Sequence, residues 1–595
     1  MKGSTGTAAD NMPKSPPLSI SDIQTNPIRV ELNDSYQALT IKVDAVDYRK
    51  EKITVSGWCS DGRVAVRLVT ADQIIPSSTK SISRPDVSAL IAEFDGIEVS
   101  GFEIVGALTE KTAQAQVFLT LTLNESLIIA PLSFARETSK TRDLNQLKLT
   151  SSTNSKAHID FSGAILGKLG IISGWAISKP GATLWLQDSQ GNKKAISSTL
   201  RFHRNDIGKV FGEEYSIHTV YAGFVTDWPF PQVPGESLAI VEETLDAFKM
   251  VATAKWTAIA DDPVSYAKFS FSVPTPTQDF NYRLNQWEGA AINSLIEAKS
   301  SRSAENETPA TVWTFGKFQN RSYKYSIIIP LYGRWDFVEH QLSEFTKDNI
   351  FLSEVELIYV IDDPVLITPF INEAENLFNL YGVPFKIIWG NRNRGFSGAN
   401  NLGVSHSKGD LLILLNSDVF PSQPGWVQEI CAPLLSNPDF GIIGAKLLFP
   451  DGGLQHGGMT FLFSESWSVW LNKHPWAGLD PHFDQGNGLV EKPAVTGACM
   501  AMRRADYLSV DGFDEGYLIG DFEDSDLCMK IRSSGLKIGY LPNVVLTHLE
   551  RQSFSLLGDS SFRTMVVRYN AWRHSQRWSK SIEILMRNFK GLENE

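Results

Sequence analysis

Leu411-Leu412-Ile413-Leu414-Leu415-Asn416-Ser417-Asp418 is an unbroken apolar run that ends in an amide, a hydroxyl and a carboxylate. A run this short, bounded by polar residues, fits a strand buried on both faces. Working outward, Ser326-Ile327-Ile328-Ile329-Pro330, Leu357-Ile358-Tyr359-Val360-Ile361 and Phe385-Lys386-Ile387-Ile388-Trp389 have the same texture, with helix-length spacers between them. Such alternation predicts a parallel sheet covered on both faces, hence an α/β domain from Tyr325 onward. Ligands of these sheets bind at the carboxyl ends of the strands. The polar residues that follow the apolar runs therefore carry the functional reading.

Two acidic clusters end two of these strands, Asp362-Asp363 and Asn416-Ser417-Asp418. Carboxylates at one sheet edge repel unless a cation or hydrogen-bond donors lie between them. Between them in sequence comes Asn391-Arg392-Asn393-Arg394-Gly395-Phe396-Ser397-Gly398-Ala399-Asn400-Asn401, whose glycines, amides and arginines lead into a helix and suit an anionic group. A further acidic turn, Asp521-Phe522-Glu523-Asp524-Ser525-Asp526, opens a later helix.

The remainder of the chain bounds the class of molecule. At 595 residues it should hold three or four domains. With 42% hydrophobic and 21% charged residues it is packed globular protein rather than mainly disordered. The 55 Lys and Arg against 67 Asp and Glu give −12, a poor balance for a nucleic-acid binder. Four scattered cysteines, Cys59, Cys431, Cys499 and Cys528, form no metal or disulfide pattern and fit a reducing compartment. The first residues lack the apolar core of a signal peptide, and no apolar run is long enough to span a bilayer. The expectation is a cytoplasmic protein.

Residues 1–38 read as a disordered tail. From residue 39 to 256 the texture is all-β, and it repeats: Ser56-Gly57-Trp58 with Arg84-Pro85-Asp86 and Gly101-Phe102-Glu103 returns as Ser173-Gly174-Trp175 with Arg204-Asn205-Asp206 and Gly223-Phe224-Val225. Trp-to-Asp spacings are 28 and 31, and Asp-to-Gly spacings 15 and 17. Landmarks kept in order predict two related β-sandwich modules, 39–150 and 151–256. Their tryptophans and Arg/Asp pairs are either core and loop braces or a sugar-stacking face. Residues 257–320 read as a helical linker, with a helix over Tyr282–Ser300 and then a polar stretch. The segment 557–595 carries seven Lys or Arg against one acid, Glu583, between Ser561 and Lys590. It is either a basic helix packed on an acidic domain or a peripheral contact with an anionic membrane at the inner face of the cell.

Residues 325 to about 554 resemble family 2 of the nucleotide-sugar glycosyltransferases, which adopt the glycosyltransferase A fold. Ile327-Ile328-Ile329-Pro330 resembles its opening strand. Asp362-Asp363 is similar to its base-binding pair, and Asn393-Arg394-Gly395-Phe396 with Asn401-Leu402-Gly403 to the segment over the nucleotide. Leu415-Asn416-Ser417-Asp418 stands at its metal motif, Gly520 to Cys528 at its catalytic acidic motif, and Thr547-His548 at a late histidine that can join the metal. Two departures are Asn416, where an acid is usual, and Pro364, where Gly or Asn is usual.

The resemblance implies a catalytic domain over 321–556 that transfers a sugar, as a hexosyl- or rhamnosyltransferase, with inversion. The partners implied are a nucleotide-sugar donor and a glycan or lipid-linked oligosaccharide acceptor, in surface polysaccharide or lipopolysaccharide synthesis. It assigns Asp524 as general base with Glu523 positioning the acceptor. Pro330, Asp362, Asp363, Arg394, Gly395, Asn401, Asn416 and Ser417 fall to the donor, and Asp418 and His548 to Mn2+ or Mg2+. His456, Gly497 and Asp526 border the acceptor. Leaving diphosphate gathers negative charge that a divalent cation stabilises, and an attacking hydroxyl must lose its proton to a carboxylate. The alternative is an inactive, transferase-like carbohydrate-binding or scaffolding protein, which Asn416 favours and Asp524 and His548 oppose.

Overall fold

Strands begin earlier than composition predicts. Ile28–Leu32 pairs antiparallel with Gln37–Arg49, so the end of the expected tail is part of a sheet. The computed structural model describes residues 28–32, 37–49, 52–59, 65–69, 75–83, 100–107, 117–123, 126–132, 155–178, 182–215, 222–232, 235–244, 247–275, 279–305, 309–317, 322–484, 486–549 and 560–592. The rest of the expected tail, residues 1–27, and the landmark Arg84-Pro85-Asp86 lie outside the described residues. The chain divides into two units, Met1–Ile292 and Asn293–Glu595.

In the first unit the repeated landmarks pair in the same register. Trp58 lies opposite Gly101, Gly57 opposite Phe102 and Ser56 opposite Glu103. Trp175 lies opposite Gly223, Gly174 opposite Phe224 and Ser173 opposite Val225. The glycine is required at 174, where an added Cβ would stand 2.1 Å from the carbonyl oxygen of His158. The first copy has a five-stranded and a three-stranded antiparallel sheet. The second has a five-stranded and a four-stranded sheet that share one core of Ile172, Leu186, Phe224, Trp228, Ile240 and Trp256.

The second copy is not all β. Asn205–Tyr215 is a helix, and Arg204 braces its start by pairing with Asp206 and Asp160 at 2.6 and 2.7 Å. That pairing holds the Asp206 carboxyl at about 2. Trp58 is buried, and half-buried Trp175 packs on Phe211 with ring centroids 5.6 Å apart. Core and loop bracing thus account for the landmarks that are described.

The second unit is built on one sheet. Its strands are β1 Thr311–Phe315, β2 Tyr325–Leu331, β3 Val355–Ile361, β4 Phe385–Trp389, β5 Leu411–Leu415, β6 Val419–Pro421, β7 Phe440–Leu448, β8 Leu454–His456, β9 Thr460–Ser464, β10 Val469–Lys473, β11 Val490–Glu491, β12 Cys499–Arg503 and β13 Lys537–His548. The order is β1-β4-β3-β2-β5-β12-β7-β13-β6, with β8 on β7 and β11 on β13, while β9 and β10 form a separate hairpin. The four expected strands, β2 to β5, are parallel. The sheet as a whole is mixed, because β1, β12 and β6 join antiparallel. Strand β1 also lies inside the stretch expected to be a helical linker. The expected helix is present but longer, running from Asp279 to Glu305 with a wider-wound turn at Leu284–Glu288.

Period-two alternation sends side chains to opposite layers. Ile327, Ile329, Leu357, Tyr359, Leu411 and Ile413 face helices α1 Phe337–Phe345, α2 Ile367–Tyr381 and α4 Trp426–Ser436. Ile328, Ile358, Val360, Leu412 and Leu414 face α3 Gly395–Ser405, α5 Glu523–Ser533 and α6 Ser560–Leu592. Both faces are covered, so the strand ends are left as the place for a ligand. Among the described residues no helix is long and apolar enough to cross a membrane.

Candidate functional site

The end of β3 turns sharply. Asp362 donates its N–H to Leu331 (2.8 Å), and its buried carboxylate accepts the N–H of Arg394 at 2.6 Å. Burial pushes this carboxyl up to about 7 against the pull of the Arg394 and Gly395 N–H groups. Asp363 accepts the N–H of Val365 (3.0 Å) and caps a short 3-10 turn in which Pro364 is the first residue. Proline suits that position because its missing N–H would have no partner there. The unusual Pro364 thus fits its turn.

Arg394 and Gly395 start α3, Gly395 at a φ of 71° that favours glycine. Asn401, nearly two turns on, has its side chain committed elsewhere. Its oxygen accepts from Tyr507 Oη (2.5 Å) and the Phe513 N–H (3.1 Å), and its amide donates to the Phe513 carbonyl and Glu515. All four of its bonding positions are filled. It braces the 507–515 loop and has nothing left for a donor.

Beyond β5, the N–H of Asn416 bonds the Ala498 carbonyl at 3.0 Å, and Gln341 donates to the carbonyls of Asn416 and Val419 at 3.1 Å each. Asp418 and His548 are brought together because Val419 in β6 pairs with His548 in β13. His548 Nε2 stands 3.3 Å from Asp418 Oδ1, both side chains about a tenth exposed. Gln455 sets the imidazole. Its amide nitrogen donates to the His548 carbonyl (3.3 Å), which turns its oxygen toward His548 Nδ1 at 2.6 Å. Nδ1 is then the donor to Gln455, and Nε2 faces a carboxylate oxygen.

An imidazole nitrogen and a carboxylate oxygen facing one another are ligand types that suit a shared cation. One nitrogen and one oxygen ligand are too few to hold it alone, and no cluster of three or more His, Cys, Asp or Glu suited to a metal occurs among the described residues. The pair therefore fits a divalent ion completed by ligand oxygens and water.

Helix α5 starts under strain. Ile519, Asp521 and Phe522 have φ of 65°, 89° and 75°, a conformation that costs non-glycine residues about 1–3 kcal/mol each. The turn aims Glu523 and Asp524 from the first residues of the helix. Asp524 accepts the N–H groups of Gly497 (3.0 Å) and Ser525 (2.7 Å). Glu523 is buried with Oε2 lacking a hydrogen-bond partner. Burial first, and then the charges of Asp524 and Asp521, push its carboxyl well above the usual range. A neutral acid beside an acidic neighbour can give one hydroxyl a hydrogen bond while the other group accepts its proton.

These parts meet around Gly497. A Cβ there would lie 3.2 Å from that of Asp524 and 3.5 Å from the Phe396 ring, so the backbone at this glycine runs close beside both. The adjacent Ala498 holds Asn416.

Two residues expected at the acceptor are buried and hydrogen-bonded within the fold. His456 is buried, takes the Thr496 N–H on Nε2 (3.4 Å) and meets His474 through Nδ1 (3.0 Å). Burial pushes its imidazole well below the usual range, so it stays neutral. Asp526 is fully buried, bonded by Tyr517 Oη (3.0 Å) and Trp578 Nε1 (2.6 Å). In a helix with period 3.6, the second residue after Asp524 points away from it. Pro330 and Ser417 are partly exposed at the ends of β2 and β5. Gln455 and Gln341 were missed, although Gln455 adjoins a residue the sequence singled out.

Residues 326–509 match the model of the family described as Glycosyl transferase family 2. An uncharacterised protein of Sinorhizobium fredii is 33% identical over 27% of this chain and 17% of its own length. The O-antigen biosynthesis protein RfbC of Myxococcus xanthus is 26% identical over 44% of this chain and 20% of its own. The N-acetylglucosaminyl-diphospho-decaprenol L-rhamnosyltransferase of Mycobacterium tuberculosis is 24% identical over 30% of this chain and 62% of its own. The matched stretch spans less than two thirds of each of these relatives.

Proposed function

We propose that this chain is an inverting glycosyltransferase of the glycosyltransferase A type. It moves a sugar, of hexosyl or rhamnosyl type, from a nucleotide-sugar donor to a hydroxyl of a glycan or lipid-linked oligosaccharide. The product belongs to a surface polysaccharide or lipopolysaccharide, made on the cytoplasmic side, with two β-sandwich modules preceding the catalytic domain. The observation that carries the reading is the convergence at Gly497-Ala498, which bonds Asp524 through one residue and Asn416 through the next.

Asp362, Asp363 and the Arg394-Gly395 turn hold the nucleotide in this reading. Asp418 and His548 hold Mn2+ or Mg2+, His548 favouring Mn2+ as a nitrogen ligand. When bound, that cation supplies charge stabilisation for the departing diphosphate. Asp524 takes the proton of the attacking hydroxyl, and Glu523, kept neutral, orients it. Asn416 lowers the charge of the site without removing either metal-facing side chain.

The basic C-terminal segment supports packing rather than lipid contact. Arg568 is buried against Trp467, and Arg573 and Arg577 pair with Asp514. The exposed residues in the second half of α6, Gln576, Arg577, Lys580, Ser581, Glu583, Ile584, Arg587 and Asn588, form a mixed face.

The test uses UDP-, GDP- and dTDP-linked sugars and reads release of nucleoside diphosphate. Release stops with chelator, returns with Mn2+ or Mg2+, and falls about 100-fold or more in Asp418→Ala. Undiminished transfer in chelator would remove the metal assignment.

A further inference from the structure

The strained turn before Glu523 is held by a helix far away in sequence. Asn570 in α6 is fully buried, and its side chain is spent on this turn. Oδ1 accepts the Leu518 N–H at 3.0 Å, and Nδ2 donates to the carbonyls of Leu518 (3.0 Å) and Gly520 (2.8 Å). These two residues flank Ile519, and Gly520 directly precedes Asp521 and Phe522, the other two positive-φ positions. Without such a clamp, non-glycine residues would relax out of the left-handed region.

The same helix face continues the grip at a spacing of four. His574 is fully buried, and its Nε2 lies 3.2 Å from Ser525 Oγ. That hydroxyl donates to the Phe522 carbonyl (3.1 Å) and accepts from Asn472 (3.0 Å). Burial holds the imidazole neutral, at about 3. Since the hydroxyl proton is committed, Nε2 is the donor. One turn further, Trp578 donates its indole N–H to Asp526 at 2.6 Å. Amide, imidazole and indole thus bond residues 518, 520, 525 and 526, which bracket Glu523 and Asp524 on both sides.

We propose that Asn570 is the positioning residue for the Glu523–Asp524 pair, with His574 and Trp578 completing one rigid clamp on the far side of α5. The inference rests on the reading of that pair as the catalytic carboxylates. None of the three touches the donor groups Asp362, Arg394 or Asp418, so the clamp acts on turnover rather than on donor binding.

The experiment compares Asn570→Ala, the near-isosteric Asn570→Asp and Trp578→Phe with the parent in the full chain, with Asp524→Asn as control. Nucleoside diphosphate release with Mn2+ gives kcat and donor KM, and titration with the nucleoside diphosphate counts folded sites. Each clamp variant should lose about 10- to 100-fold in kcat per folded site, the size of an effect from about 1 Å of misplacement. Donor KM should stay within about twofold, as expected when an interaction serves the transition state alone. A residue that merely stabilises the fold would reduce the number of folded sites at unchanged kcat, and that result overturns the proposal. If Asn570→Ala does not fold, Asn570→Asp and Trp578→Phe decide. Asp524→Asn inactive with the clamp variants fully active would remove the positioning inference alone. Full activity of Asp524→Asn would remove the assignment of the catalytic pair and the inference with it.

Discussion

Asp362 illustrates how one buried carboxyl ties stability to pH. In the unfolded chain it would ionise near pH 4. In the folded chain burial raises it to about 7. Between those values the folded protein keeps a proton that the unfolded chain releases, so stability falls as pH rises through the window, and the full cost is present above 7. Asp362→Asn keeps an oxygen for the Arg394 N–H and does not titrate. Its stability relative to the parent should therefore improve from pH 4 to 8, by up to about 4 kcal/mol. Urea unfolding at several pH values measures this, and a constant difference would contradict it. The residue scale is also where the sequence was least complete. Asp362 and Asp418 were legible because polar residues ending apolar runs stand out, whereas His548 was reached only through the family resemblance. The commitments of Asn401, His456 and Asp526 were not legible, because they depend on partners 112, 40 and 52 residues away respectively.

At the scale of elements, α3 lies so close to the sheet that only glycine fits at 403. A Cβ there would stand 2.4 Å from Ile328 Cγ2 and 3.0 Å from Val360 Cγ2. Alanine would raise helix propensity by about 1 kcal/mol. Ile328 and Val360 are fully buried and β-branched, so neither can swing aside. Overpacking wins, and Gly403→Ala should destabilise by a net amount of about 1–3 kcal/mol, read as a lower urea midpoint at unchanged slope. A neutral or stabilising change would mean that α3 shifts freely on the sheet. The parallel strands β2 to β5 were legible from their apolar runs. Strands β1 and β12 were not. Thr311–Phe315 is short and mostly exposed, while Cys499–Arg503 is only five residues long and follows closely on Gly497.

For the whole molecule, the boundary suggested by composition needs to move. Residues 321–595 would lack β1, which pairs with β4, and also Asn293, which accepts hydrogen bonds from Tyr569 (3.1 Å) and Arg573 (2.7 Å) of α6. A fragment of residues 293–595 should fold by itself with one cooperative transition. The 321–595 fragment should unfold at a lower urea midpoint, its loss being an edge strand and two hydrogen bonds at about 1 kcal/mol each. Equal midpoints would mean that β1 and Asn293 contribute nothing. The repeat in the first unit was legible because Ser-Gly-Trp and Gly-Phe pair across one ladder in both copies, and such a constraint leaves its spacing in the sequence. The clamp by α6 left no such trace, since Asn570 looks like any polar residue in a basic helix.

The claim that joins these scales is that the strained turn, the clamp and the Gly497 contact exist to present Asp524 as a general base. It is tested most directly by the turnover of Asp524→Asn, measured with the active donor, Mn2+ and saturating acceptor, alongside Glu523→Gln. Asparagine preserves shape and can still accept the Gly497 N–H, but it cannot take a proton. Turnover should fall about 100- to 10,000-fold while nucleoside diphosphate binding is retained. Near-parental turnover in Asp524→Asn would contradict the account. Should Glu523→Gln alone be inactive, the base would be Glu523, and should both variants be active, the catalytic centre would lie elsewhere.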